Sequence, residues 1–226
     1  MGKLYTIATP IGNLSDISLR ALEALKSVDA IICEDTRVTK KLLDRYQINK
    51  LLISYHQHSQ IVKIDTIVEL LKSGKNIALV TDAGTPGIND PGGILIAEAI
   101  KENICIIPIP GASAMTVLLS ISGIDADRFI FLGFIPKKKG RKTFFDNCIK
   151  MLAIFNLPVV IYESPYRILK TLKDFSKIND FNVIIGREMT KKFEEIIRGD
   201  IKTVITGFEK NKYKQKGEFV LCLKQK

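Results

Sequence analysis

Short apolar runs alternate along the chain with stretches in which apolar residues recur every three or four positions. The first pattern predicts buried strands and the second amphipathic helices. Residues 4–8, 30–33, 51–55, 77–80 and 105–109 read as five strands. Between them lie four predicted helices. Asp16 caps the first, with Leu19, Leu22 and Leu25 on one face. The second holds Leu42 and Leu43, the third covers 61–71 and stops near Gly74, and the fourth covers 94–100. A further helix is expected over 113–120. This strand–helix rhythm predicts an α/β fold with a largely parallel, doubly wound sheet.

The pattern restarts near Gly123. Strands are expected at 129–134, with a basic loop and a helix after it, and at 159–162, then a helix over 166–175 and short strands at 183–185, 193–197 and 219–223. Short strands with fewer crossover helices predict a mixed sheet. The chain therefore reads as two α/β domains, 1–122 and 123–226, with a cleft between them as the natural ligand site.

The densest punctuation is Thr81-Asp82-Ala83-Gly84-Thr85-Pro86-Gly87-Ile88-Asn89-Asp90-Pro91-Gly92-Gly93, with four glycines and two prolines in thirteen residues. It directly follows an apolar strand and precedes a helix, which is where open α/β sheets bind ligands. Loops at 9–13, 34–37, 110–114, 162–167 and 186–191 also follow apolar runs. No GxGxxG or GxxxxGK[ST] motif is present, which disfavours a nicotinamide or nucleoside triphosphate enzyme.

Composition adds a core-forming 46% of hydrophobic residues and a formal net charge of +10. Such an excess suits a polyanionic partner, whose counterions are released on binding. A bias toward Lys, Ile and Asn throughout the chain would produce the same number. The four cysteines form no CxxC pair, so disulfides and zinc are disfavoured. His56 and His58 stand without a third His or a Cys cluster, so they read as polar lining rather than a metal site. No signal peptide or membrane span is expected, and the compartment reads as cytoplasmic.

The ordered motifs Thr9-Pro10-Ile11-Gly12-Asn13-Leu14, Glu34-Asp35-Thr36-Arg37, Asp82-Ala83-Gly84-Thr85-Pro86, Asn89-Asp90-Pro91-Gly92, Pro110-Gly111-Ala112-Ser113-Ala114, Phe131-Leu132-Gly133-Phe134, Tyr162-Glu163-Ser164-Pro165 and Arg187-Glu188-Met189-Thr190-Lys191 span nearly the whole chain. Together they resemble the small-subunit ribosomal RNA methyltransferases of the tetrapyrrole methylase fold family. The resemblance implies S-adenosyl-L-methionine as cofactor, held in a cleft between two domains. It also implies 2′-O-methylation of a cytidine ribose in the decoding region of 16S rRNA, on the RNA or the 30S subunit, by a homodimer with no membrane partner. It places Pro10, Thr85, Ile88, Ser113, Ala114, Tyr162, Met189 and Glu218 around the cofactor, with Gly84, Gly87 and Gly217 permitting close approach. Asn89 and Tyr166 stand where the family usually has Ser and His, so no acid–base role is carried over to Tyr166. Many relatives continue beyond the strand at 219–223, and contacts made by such a segment are expected to be absent or replaced.

A ribose hydroxyl is a weak nucleophile and gains from a base. Glu163, Glu188 and Lys191 are the catalytic candidates, with Asp35 behind them. Glu188 next to Arg187 also reads as an ordinary ion pair. Arg37, Arg167 and Lys191 are candidate phosphate or ribose ligands. Lys137, Lys138, Lys139, Arg141 and Lys142 form the densest basic stretch, flanked by Phe131, Phe134, Phe144 and Phe145. That local concentration points to RNA phosphates, with a solvated loop as the alternative.

Overall fold

The computed structural model describes residues 1–55 and 60–226. His56 and His58 lie outside the described residues. The chain divides into two compact units, Met1–Ser113 and Ala114–Lys226. Among the described residues each unit carries one five-stranded sheet.

The first unit runs β1 (Lys3–Ile7), α1 (Leu19–Ser27), β2 (Ala30–Cys33), α2 (Thr36–Arg45), β3 (Leu51–Ser54), α3 (Gln60–Lys72), β4 (Ile77–Leu79), α4 (Gly92–Lys101) and β5 (Cys105–Ile109). The sheet order is β3-β2-β4-β1-β5, and every pairing is parallel. Connections leaving β1 and β2 run toward one side of the sheet, and those leaving β3 and β4 toward the other. Right-handed crossovers then put α1 and α2 on one face and α3 and α4 on the opposite face. The two cores follow. Ala21, Leu25 and Leu43 pack with Ile31, Ala78 and Val80 on one side. Ile64, Ile67, Leu95 and Ala99 pack with Ile32, Ile77 and Leu79 on the other. Alternate residues of each strand serve alternate faces.

The start of α1 differs from the pattern-based expectation. Asp16 belongs to a short 3₁₀ turn, Leu14–Asp16, and Ser18 is the cap, its hydroxyl accepting from Ala21 N–H. The helix begins later, its buried side is Ala21, Ala24 and Leu25, and Leu19 is exposed.

The second unit runs α5 (Ala114–Ser120), β6 (Ile130–Phe134), α6 (Arg141–Phe155), β7 (Val159–Glu163), α7 (Ile168–Ser176), β8 (Phe181–Arg187), β9 (Glu195–Asp200), α8 (Ile201–Lys210) and β10 (Phe219–Gln225). The order is β6-β7-β10-β8-β9; β6 and β7 are parallel and the other neighbours antiparallel, giving a mixed sheet. Residues of α6, α7 and α8 cover one face, with Leu152, Leu172, Phe175 and Phe208 against Val159, Ile161, Val183 and Leu221. Leu118 and Leu119 of α5 cover the other, against Val160, Ile184 and Val220. Helix α8, capped by the Asp200 carboxylate on Lys202 and Thr203 N–H, has no counterpart in the elements expected from the pattern.

Candidate active site

In a parallel sheet every strand ends on the same side, so the loops after β1, β2, β4 and β5 share one rim. Adjacent strands β2 and β4 send their connections in opposite directions, and the crevice outside such a pair is the usual ligand site of an open α/β sheet. The rim is stitched together by hydrogen bonds. Thr9 and Gly84 exchange backbone bonds of 2.9 and 3.1 Å, and Thr9 Oγ1 donates to the Thr81 carbonyl at 2.9 Å. Thr85 Oγ1 donates to the Ala112 carbonyl at 3.2 Å. Thr81 Oγ1 donates to Glu34, and Asp35 N–H donates to Asp82 Oδ1 at 3.1 Å. The loops after β1, β2, β4 and β5 therefore hold one another in place.

Within the loop after β4, Asp90 accepts from Gly87 N–H at 2.9 Å and from Gly92 N–H at 2.7 Å. This closes the turn and caps α4, whose own N-cap residue, Pro91, makes no side-chain bond. Gly84 and Gly87 sit at φ +90° and +84°, a region L-residues rarely enter. Ile88 and Asn89 are left exposed at the loop tip, while Pro10 is buried beneath the rim. Ser113 is the last residue of this unit, and Ala114 opens α5. Arg37 is exposed and grips the Asp35 carboxylate, Nη2 to Oδ2 2.6 Å. The hydrogen bonds and charge of Arg37 hold the Asp35 carboxyl well below the usual carboxylate range.

In the second unit, β7 and β8 end where β10 begins: Phe219 pairs with both Glu163 and Arg187. This register brings Tyr162, Glu163, Glu188, Met189, Lys191, Gly217 and Glu218 to one end of the sheet. Glu188 and Thr190 both adopt positive φ. Glu188 N–H donates to the Glu218 carbonyl at 3.0 Å, and Glu218 N–H donates back to Glu188 Oε1 at 2.8 Å. Lys191 Nζ reaches Glu188 Oε1 at 3.1 Å and Glu218 Oε2 at 2.9 Å. Burial opposes ionisation of Glu188, yet the Glu218 amide and Lys191 outweigh it and its pKa is lowered. Burial also opposes the Lys191 charge, but Glu218 and Glu188 raise its pKa. Lys191 thus stays an ammonium and Glu188 a carboxylate.

Glu163 and Arg141 stand apart from this open cluster. The Glu163 side chain is 0% exposed. It accepts from Ser164 N–H at 2.7 Å and Thr171 Oγ1 at 2.6 Å, and pairs with Arg167 Nη2 at 2.6 Å. Its carboxylate is enclosed by these three partners. Arg167 also donates to the Ile135 carbonyl at 2.8 Å, so most of its guanidinium is engaged inside the protein. Arg141 is buried against Asp174, Nη2 to Oδ2 2.7 Å, and Thr171, whereas Lys137, Lys138, Lys139 and Lys142 are exposed. The basic stretch divides into a structural arginine and four solvent-facing lysines. A buried side chain at position one of a helix following three lysines carries no distinguishing mark in sequence. Phe145 likewise points inward, edge-on to Phe175 at 4.8 Å.

Arg187 is the residue that sequence reasoning missed. It is 4% exposed, donates from Nε to the Lys216 carbonyl at 2.6 Å, and lies 5.0 Å from the Tyr213 ring centroid. It fastens the segment before β10 to the end of β8, and its partner is not Glu188. Among the described residues, no group of three or more His, Cys, Asp or Glu is placed to hold a metal ion.

The Tetrapyrrole (Corrin/Porphyrin) Methylases family model matches residues 3–205. The chain is 45% identical to "Ribosomal RNA small subunit methyltransferase I" of Thermotoga maritima across 94% of each chain. It is 46% identical to the protein of the same name from Mycoplasmopsis pulmonis, across 98% of this chain and 97% of that one. Among solved structures, diphthine synthase superposes with a TM-score of 0.75 at 13% identity, covering 99% of this chain and 90% of that one. Cobalt precorrin-4 methyltransferase superposes with a TM-score of 0.69 at 18% identity, covering 97% and 94%. The structural matches establish the fold, the sequence matches narrow it, and the chain belongs to the tetrapyrrole methylase family, within its ribosomal RNA small subunit methyltransferase I group.

Proposed function

We propose that this chain transfers a methyl group from S-adenosyl-L-methionine to the 2′-hydroxyl of a cytidine in the decoding region of 16S rRNA, acting in the cytoplasm as a homodimer. The observation that carries the reading is 45% identity across 94% of both chains to a relative named for small-subunit rRNA methylation.

The donor set fits the cofactor. In the first unit, a glycine-rich turn closed by Asp90, with Ile88 exposed at its tip, suits the adenine and the methionine portion of the cofactor. Pro10, Gly84, Thr85, Gly87, Ile88 and Ser113 are its proposed contacts there. In the second unit they are Ala114, Tyr162, Met189, Gly217 and Glu218. Once bound, the cofactor supplies a methyl group already activated by its sulfonium, so the protein's work is mainly alignment in a water-poor site.

Lys191, kept cationic, offers charge to a phosphate or to the developing alkoxide. Glu188, kept ionised, orients the ribose hydroxyl and accepts its proton as the oxygen takes the methyl group and the thioether leaves. Glu163 acts through Arg167 and Thr171, fixing the loop that follows Tyr162 and β7. Arg37, Lys137, Lys138, Lys139 and Lys142 are the proposed phosphate ligands, and Arg167 holds the Ile135 carbonyl ahead of the lysine run.

Labelled methyl transfer to purified 30S subunits, naked 16S rRNA and a tetrapyrrole, run in parallel, tests the reading. Label in a cytidine ribose of 16S rRNA is the expected result. Label in the tetrapyrrole alone overturns it.

A further inference from the structure

Strands β6, β7 and β8 end, and β9 and β10 begin, at the same end of the second sheet, as the pairs Phe134–Tyr162, Phe219–Glu163 and Arg187–Glu195 require. Large aromatic side chains emerge there with unusual exposure. Tyr166, in the loop after β7, is 96% exposed, the highest value among the large hydrophobic residues described. Phe193, just before β9, is 56% exposed, Phe134 at the end of β6 is 53%, and Tyr213 before β10 is 52%. Leaving large rings in water forgoes favourable burial, and four at one end of one sheet form a patch rather than scattered exceptions.

The backbones under these rings are fixed by two arginines, Arg167 partly buried and Arg187 buried. Arg167 donates to the Ile135 carbonyl and pairs with Glu163, tying the segment after Phe134 to the loop carrying Tyr166. Arg187 donates to the Phe193 carbonyl at 3.4 Å and stacks on the Tyr213 ring. The rings are therefore presented by a rigid frame.

Their surroundings are cationic. Exposed Lys137, Lys138 and Lys139 follow Phe134, and Lys192 precedes Phe193. Among the described residues none of these four lysines forms an ion pair with a carboxylate. Most carboxylates at this end are paired with a cation, Glu163 with Arg167, Glu188 and Glu218 with Lys191 and Glu195 with Lys214, while exposed Glu194 accepts from Thr190 N–H. Lys192 Nζ lies 5.7 Å from the Phe193 ring centroid. Exposed aromatic rings interleaved with cations that no carboxylate neutralises are the chemistry of single-stranded nucleic acid binding, with rings stacking on bases and lysines meeting phosphates. Five strands spaced about 4.8 Å apart span about 19 Å, comparable to the four-stranded sheets whose aromatics stack two or three bases.

We propose that this end of the second sheet is a stacking platform for unpaired RNA. Bases lie on Tyr166 and Phe193, with Phe134 and Tyr213 beside them, and the neighbouring lysines hold the phosphates. The proposal rests on the rRNA reading and deepens it: the enzyme takes its substrate as an opened strand, not as a duplex.

The test is fluorescence anisotropy of a labelled oligoribonucleotide, single-stranded or annealed to its complement, over a salt series. The expected result is a preference for the single strand. The double variant Tyr166→Ala/Phe193→Ala should keep the parent's thermal midpoint and lose at least about 5- to 150-fold in single-strand affinity, the range for one ring, with an unchanged salt slope. Lys137→Ala/Lys138→Ala/Lys139→Ala should flatten the slope, and Tyr166→Trp should bind like the parent. Equal affinity for duplex, or a double variant within twofold of the parent, overturns the platform. So does a double variant that binds RNA normally but loses self-association in light scattering, which would make this surface a contact between copies. Labelled-methyl transfer separates the two readings. Parent activity on rRNA with ring-independent binding rejects the platform alone. Ring-dependent binding without methylation of any rRNA rejects the rRNA reading alone.

Discussion

A Cβ placed on Gly217 would lie 2.6 Å from Cγ of Glu188. The backbone at Gly217 also sits at φ +106°. The proposed cofactor edge and the Lys191–Glu188–Glu218 cluster are thus built around the absence of one side chain. Gly217→Ala is expected to destabilise the protein by about 1–3 kcal/mol and to weaken S-adenosylmethionine binding measured by calorimetry. Unchanged stability and affinity would show that the Glu188 side chain moves aside freely.

Removing Glu163 leaves the partly buried Arg167 guanidinium without its carboxylate. Breaking a buried pair from one side costs about 3–5 kcal/mol. Glu163→Ala should lose stability on that scale in urea titrations. Glu163→Gln keeps an acceptor for Thr171 and should lose less. If Glu163→Gln folds like the parent yet abolishes single-turnover methyl transfer, Glu163 acts on the substrate directly and the positioning role is wrong.

The ion cluster has a defined pH signature. Glu188 titrates lower in the folded chain than its ordinary value of 4.5. Its contribution to stability is therefore complete above about pH 4.5 and is lost as pH falls through the lowered folded value. Lys191 titrates above its ordinary 10.5, so its contribution is complete below that pH and is lost as pH rises through the folded value. Glu188→Gln should flatten the acid limb of the urea midpoint against pH, and Lys191→Met the alkaline limb. Superimposable profiles for parent and variants would exclude this coupling.

Arg141 and its lysine neighbours should separate cleanly. Arg141→Ala strands Asp174 and is expected to cost about 3 kcal/mol of stability. Lys137, Lys138, Lys139 and Lys142 replaced together by Ala should leave the melting temperature within a degree or two. The slope of log affinity against log salt should fall by about 0.7 for each phosphate of a single-stranded RNA that is no longer neutralised. A lysine-free variant with the parent's slope would remove this loop from the RNA-binding surface.

Gly87 sits at φ +84°, and its Cβ would approach Ile96 Cδ1 at 3.3 Å. Gly87→Val is expected to fold with the loop displaced and to lose S-adenosylmethionine affinity by at least tenfold in calorimetry. Parent-like affinity in the folded variant would place the cofactor away from this loop.

Periodicity along the chain determined the parallel first sheet and the mixed second sheet, because each strand is a short apolar run whose burial needs no distant partner to be recognised. The Gly/Pro loop after β4 was legible for the same reason: positive φ at Gly84 and Gly87 is a local demand. The start of α1 was not, since Asp16 and Ser18 are both good caps and packing of Ala21 and Leu25 chose between them. Tertiary structure alone decided the fate of the charged residues. Glu163 ends one strand and Glu188 follows another, yet one is sealed by Arg167 and Thr171 while the other meets Lys191 near solvent. Arg141 and Lys142 are adjacent, and only the position of Asp174, thirty-three residues beyond Arg141, turns one inward. A charge is recorded in the sequence, but whether it faces water or a buried counter-charge depends on which strands and helices lie beside it.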